Sequence, residues 1–153
     1  MGKEASKYSS SASVANGTLI VAVPWSARRV LEIDISRGVV SEIGADLGEI
    51  GPKYYGLALS RNGMLYSAPW SSRRVLEINP ALRDAQQVGP DLGAGRAKYA
   101  GVVAAANGSV YAVPRDARRF LEVVPESLPD SSEAVSRRWF NRSGIVQQSN
   151  ETK

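Results

Sequence analysis

An all-β fold of three repeated units, each with four antiparallel strands, is predicted by three observations. A phrase recurs about 45 residues apart, as KYSSSASVANGTLIVAVPWSARRVLEI, KYYGLALSRNGMLYSAPWSSRRVLEI and KYAGVVAAANGSVYAVPRDARRFLEV. An Asn-Gly pair divides two strand-like runs in every copy, and a proline closes the second run. Self-similarity at this period marks a stack of supersecondary units, each burying an apolar face against the next.

The register is tight. Lys7, Lys53 and Lys98 open the copies, and Pro24, Pro69 and Pro114, like Arg28, Arg73 and Arg118, recur every 45 residues. The first copy has one residue more between Asn16 and Pro24 than its counterparts, which predicts a β-bulge in that run. A second phrase, Gly44-Ala45-Asp46-Leu47-Gly48, returns as Gly89-Pro90-Asp91-Leu92-Gly93 and is missing from the last copy, which favours a true end there.

Each element has a local cause. The first strands, clearest at Tyr54 to Ser60 and Tyr99 to Ala105, are small and apolar, and Gly56 and Gly101 permit close backbone approach. Asn-Gly at 16/17, 62/63 and 107/108 predicts two-residue type I′ turns, whose central residues both need positive φ. The second strands follow at Thr18 to Val23, Met64 to Ala68 and Ser109 to Val113, and the prolines end them by removing a backbone donor. Third strands are expected at Arg28 to Ile33, Arg73 to Ile78 and Arg118 to Val123, and short fourth strands at Val39 to Ile43 and Ala85 to Val88. Four short antiparallel strands per period is the blade of a β-propeller. The blades are 7–52, 53–97 and 98–125 with a degenerate end, preceded by an extension over 1–6 and followed by a polar, basic tail over 126–153.

The phrase A-x-N-G-x-[LV]-Y-x-x-P-x-x-A-R-R-[VF]-L-E-[IV], followed by I-G-x-D-L-G, resembles the propeller-type tandem repeats of large proteins of algae and other protists. It is similar in layout to NHL and gluconolactonase-like blades. The resemblance covers Lys7 to about Pro125 and implies the architecture. Such blades serve binding proteins and enzymes alike, so it implies no single activity. The first copy departs from the pattern with Ser10 where Gly56 and Gly101 stand.

The 153 residues amount to one domain. Propellers usually carry about 4 to 8 blades, so three blades pair with a second chain in a six-blade homodimer, belong to a longer product, or form an open arc. The net charge of +4 permits anionic partners without demanding them. Cysteine and histidine are both absent, which excludes disulfides, thiolate sites, imidazole bases and histidine metal ligands, and no metal or cofactor is expected. Apolar runs fall short of a membrane span and no signal segment is visible, so the expected location is the cytoplasm. The N-terminal Met1-Gly2-Lys3-Glu4-Ala5-Ser6 fits an N-myristoylation pattern at Gly2, with Lys3 and Lys7 adding attraction to anionic lipid.

In a propeller, the connections from fourth to first strand and the loops between second and third strands emerge on one rim. That rim gathers Lys7, Lys53 and Lys98, their neighbours Tyr8, Tyr54 and Tyr99, and the loop positions Trp25, Trp70 and Arg115. Cations interleaved with aromatic rings suit an anionic or sugar-like ligand, on a protein or glycan partner. Trp25 and Trp70 are the leading candidates, since loops carry function more often than strands. The same tyrosines also read as packing residues, with Asp46 and Asp91 placed to pair with the lysines.

The doubled arginines allow two readings. Arg28 and Glu32, Arg73 and Glu77, and Arg118 and Glu122 lie four apart and so share a face if in a strand, which predicts blade-to-blade ion pairs worth roughly 0.2–1 kcal/mol each if exposed. A nucleic-acid stripe is disfavoured, because glutamate accompanies every pair. A metal-dependent lactone or ester hydrolase of the gluconolactonase-like kind is the alternative to a non-catalytic binding or scaffold module. It would need carboxylates converging on a metal, and the first strands supply almost none. The N-x-S/T sequons at Asn16, Asn107, Asn141 and Asn150 are not expected to carry glycans without a secretory signal. In the tail, Asp130 and Glu133 resemble a capping pair before a helix over Ala134 to Arg142 with Gly144 as its stop, while the repeat register allows a fourth strand at Glu133 to Ser136.

Overall fold

The computed structural model describes residues 6–49, 51–125 and 144–149, the last stretch as backbone. It contains twelve strands in three antiparallel sheets of four. Blade 1 comprises β1 (Tyr8–Val14), β2 (Leu19–Pro24), β3 (Val30–Asp34) and β4 (Val39–Ile43). Blade 2 comprises β5 (Tyr54–Leu59), β6 (Leu65–Pro69), β7 (Val75–Asn79) and β8 (Asp84–Val88). Blade 3 comprises β9 (Tyr99–Ala104), β10 (Val110–Pro114), β11 (Arg119–Val124) and β12 (Gly144–Ser149). Strand order within each blade follows the chain, as the 45-residue period predicts for a partial propeller.

The fourth strand of blade 3 comes from outside the repeat register. β12 pairs with β11 without interruption, from Arg119 opposite Ser149 to Val124 opposite Gly144. Gly144 therefore opens a strand, where the sequence suggested a helix stop. The helix expected over Ala134 to Arg142 and the strand expected at Glu133 to Ser136 lie outside the described residues, as does Gly2. Among the described residues no helix is long and apolar enough to cross a membrane.

Two details of the hairpins differ from expectation. In blades 2 and 3 only the glycine of Asn-Gly takes positive φ, 79° at Gly63 and 89° at Gly108. The Gly63 N–H donates to Ser60 O and the Gly108 N–H to Ala105 O, each at 3.0 Å. These are type I turns followed by a left-handed glycine, not two-residue type I′ turns. The asparagine stays right-handed because its Oδ1 accepts an N–H two residues on, from Met64 and from Ser109, each at 3.0 Å. In blade 1 the extra residue lengthens the turn, where Ala15, Asn16 and Gly17 all take positive φ, and β2 pairs with β3 in unbroken register. The bulge expected inside that run is absent; bulges fall instead near the start of the first strand of every blade.

Burial follows from stacking. The first core joins Val14, Val21, Val23, Val30 and Ile43 of blade 1 to Tyr54, Leu65, Leu76, Ile78 and Ala85 of blade 2. The second joins Ala58, Tyr66, Ala68, Val75 and Val88 of blade 2 to Tyr99, Val110, Ala112, Leu121 and Val123 of blade 3. Blade 2 is covered on both faces, so every residue of β6 is buried, whereas β10 is not buried throughout. The inner strands β1, β5 and β9 run beside one another. Ser9 Oγ donates to Tyr54 O at 2.7 Å and Ser10 Oγ accepts the Gly56 N–H at 3.0 Å. The serine-rich opening strand thus holds to blade 2 by hydroxyl bridges.

Candidate functional site

Five backbone hydrogen bonds zigzag along one rim through all three blades. The Trp25 N–H donates to Lys7 O at 2.8 Å, the Lys53 N–H to Trp25 O at 2.9 Å, and the Trp70 N–H to Lys53 O at 2.8 Å. The Lys98 N–H then donates to Trp70 O at 3.0 Å and the Arg115 N–H to Lys98 O at 2.9 Å. Each link joins a loop between second and third strands to the start of a first strand. The repeat therefore places Trp25, Trp70 and Arg115, spaced by 45 residues, at matching points of successive blades.

Their side chains meet. The Trp25 and Trp70 rings lie 5.3 Å apart between centroids and tilted by 52°. Tyr55, 39% exposed, packs 5.5 Å from Trp70 and edge-on to Trp25 at 6.1 Å. Tilted and edge arrangements at these distances suit the ring quadrupoles. The Arg115 guanidinium sits 4.8 Å from the Trp70 centroid, a cation–π contact. Both tryptophans are half-buried and Arg115 is exposed, which leaves an aromatic platform with a cation at its edge.

The other predicted rim residues are placed differently. Lys53 and Lys98 are buried. The Lys53 ammonium donates to Ala27 O at 2.9 Å and Ser26 O at 3.3 Å, and that of Lys98 to Gly95 O at 2.6 Å. Burial pulls both ammonium groups below the usual lysine range, and Arg28 and Arg73 respectively add to the effect. Tyr54 and Tyr99 are buried in the two cores. The Tyr54 hydroxyl accepts from Gln87 Nε2 at 2.9 Å, and burial pushes its pKa up to about 12. Tyr8 is half-buried and raised in pKa by that burial and then by the Glu42 carboxylate. Lys7 is exposed beside the Trp25 loop.

The ion pairing corrects the sequence reading. Arg28 binds Asp46 at 2.6 Å and Glu49 at 2.5 Å, and Arg73 binds Asp91 at 2.7 Å. These arginines precede Val30 and Val75, so they lie in loops and not on the strand face shared by the glutamates four residues on. The returning connector supplies the acid instead. Leu47 N–H donates to Arg28 O and Leu92 N–H to Arg73 O, at 2.8 and 2.7 Å. Asp46 and Asp91 therefore clasp connector to loop, and are held below the usual carboxylate range by Arg28 and Arg73 and by the N–H groups of Gly48 and Gly93. Arg29 and Arg74 donate to the carbonyls of Gly44 and Gly89. Glu32 does make a blade-to-blade pair of the kind expected, crossing to Arg83 of blade 2 at 2.8 Å. Glu77 and Glu122 accept from the hydroxyls of Tyr66 and Tyr111, each at 2.9 Å, and Arg118 is exposed.

Tyr55 is the platform member that sequence reasoning missed. Its signal was the doubled Tyr54-Tyr55, where the other copies have Ser9 and Ala100. Among the described residues no three acidic side chains converge where a metal could be held.

No protein-family model matches the sequence, and no curated protein matches it. Solved structures share its fold. A catalytically inactive histidine-to-alanine variant of virginiamycin B lyase from Staphylococcus aureus, with quinupristin, superposes with a TM-score of 0.63 at 9% identity, over 99% of this chain and 44% of that one. Hydrazine synthase from Kuenenia stuttgartiensis gives 0.55 at 14% identity over 79% of this chain and 33% of that one. An auxiliary nutrient binding protein from Bacteroides ovatus gives 0.53 at 14% identity over 76% and 28%. The chain thus spans less than half the length of these structures, and the likeness is one of fold.

Proposed function

We propose that this chain is a non-catalytic binding module whose ligand lies on the Trp25, Tyr55 and Trp70 rings, with Arg115 and Lys7 supplying positive charge. The observation that carries this reading is the convergence of three half-exposed rings from two blades with a guanidinium from the third. Aromatic faces take the apolar face of a sugar ring, and the cations select an acidic group, so the ligand is an anionic saccharide on a glycan or glycosylated partner. Lys53 and Lys98 act in this reading as the floor of the site, fixing the loops whose rings bind.

Binding is favoured over turnover by the chemistry at hand. The chain has neither histidine nor cysteine, and the rim acids Asp46 and Asp91 are engaged by Arg28 and Arg73. Lyases and binding proteins share the fold, so architecture favours neither.

Titration with a uronic-acid oligosaccharide and its neutral counterpart, followed by tryptophan fluorescence and calorimetry, tests the proposal. Trp70→Ala should weaken binding of the acidic sugar about tenfold or more, near 1.4 kcal/mol. Arg115→Gln should remove most of the preference for acid over neutral sugar. Equal binding by wild type and Trp70→Ala, or no binding of either sugar, would sink it.

A further inference from the structure

The two end faces of the arc are the two halves of the seam that the chain already makes twice within itself. We infer that they close on each other between two copies of this chain, blade 3 of each against blade 1 of the other. At each internal seam one blade offers the face carrying Val21, Val23 and Val30, or their 45-residue counterparts Tyr66, Ala68 and Val75. The next blade offers the opposite face, with Leu65, Leu76, Ile78 and Ala85 in blade 2.

Carried forward one period, the first set becomes Tyr111, Val113 and Phe120 on the open side of blade 3. Carried back, the second becomes Ile20, Leu31, Ile33 and Val40 on the open side of blade 1. Both open faces keep apolar residues at every one of these positions. Ala85 is 1% exposed in the internal seam while its counterpart Val40 is 62% exposed, and Ala68 is 2% exposed against 56% for Val113. Tyr111 and Phe120 already pack against each other on blade 3, with ring centroids 6.2 Å apart and a tilt of 46°. Exposed apolar surface of this kind marks an interface.

The occupant follows from the complementarity. The face presented by blade 3 mates with the face presented by blade 1, and never with itself, so the contact is head-to-tail. Two head-to-tail contacts between two chains close a ring of six blades about a two-fold axis, within the usual range for propellers. Rotation about that axis leaves both aromatic platforms on the same side of the ring.

Light scattering after size exclusion should give twice the 16.4 kDa chain mass. Val40→Asp and Val113→Asp should each run as monomers. Mixed one to one they should recover a dimer, because the intact blade 1 face of Val113→Asp meets the intact blade 3 face of Val40→Asp. Circular dichroism checks the fold of each, and the milder pair Val40→Ser and Val113→Ser should raise the dimer dissociation constant at least tenfold if the aspartates prevent folding. A monomeric wild type would overturn the inference. So would a Val40→Asp variant that still dimerises, which would mean blade 3 faces pairing with themselves, or a species that grows with concentration, which would mean the ring does not close.

Discussion

The ammonium of Lys53 donates to Ala27 O and Ser26 O, and those carbonyls belong to the loop that carries Trp25. A buried cation is costly unless its donors are used, and a carbonyl stripped of its donor costs about 1–3 kcal/mol. Lys53→Met keeps the apolar stem and removes the donors, so the Trp25 loop should loosen. The expected result is a loss of about 1–3 kcal/mol in urea denaturation, with a shift in tryptophan emission that Lys7→Met does not reproduce. Unchanged stability and emission would mean that the stem alone holds the loop. Position 53 looked in the sequence like a surface cation, since a lysine's burial depends on the loop folded over it and that loop lies 27 residues away. Trp25, Trp70 and Arg115 were legible because their loop position is fixed by the repeat itself.

Seams between sheets depend on how closely backbones approach. Gly44, at φ +73°, has Ala85 where its own Cβ would stand, 2.4 Å from the Ala85 Cβ, and the adjoining Ala45 N–H donates to Ala85 O at 2.9 Å. Gly44→Ala combines left-handed strain with overpacking and should cost about 2–5 kcal/mol. Gly63→Ala, at φ +79° with nothing within 4 Å, should cost only the strain, about 1–2 kcal/mol. Urea midpoints compare the two, and equal losses would remove any role for the seam. Strand positions were readable because turn residues and prolines punctuate each copy. The turn type was not, since it depends on an asparagine side chain bonding an N–H two residues on. Nor was β12 readable: β3 and β4, like β7 and β8, are separated by four residues, while β11 ends at Val124 and β12 begins at Gly144.

Across the whole molecule, blade 2 is the shared member of both cores, so neither outer blade can lose it and stay buried. Leu76 is fully buried in the first core. Leu76→Ala should cost about 2–5 kcal/mol and lower the midpoints reported by probes in blades 1 and 3 together. Separate transitions would show that the seams do not couple the blades. The stacking itself was evident from the period, and which face met which was not, because alternation within a strand does not say on which side the next blade lies.

The zigzag of five hydrogen bonds under the rim uses main-chain atoms at every step. The side chains at 25, 70 and 115 can therefore be exchanged as a set, like type in a fixed frame, while the spacing between them holds. If this surface binds as proposed, its specificity is set by those three side chains and not by the frame beneath them, and Arg115 already differs there from the tryptophans of the other two copies.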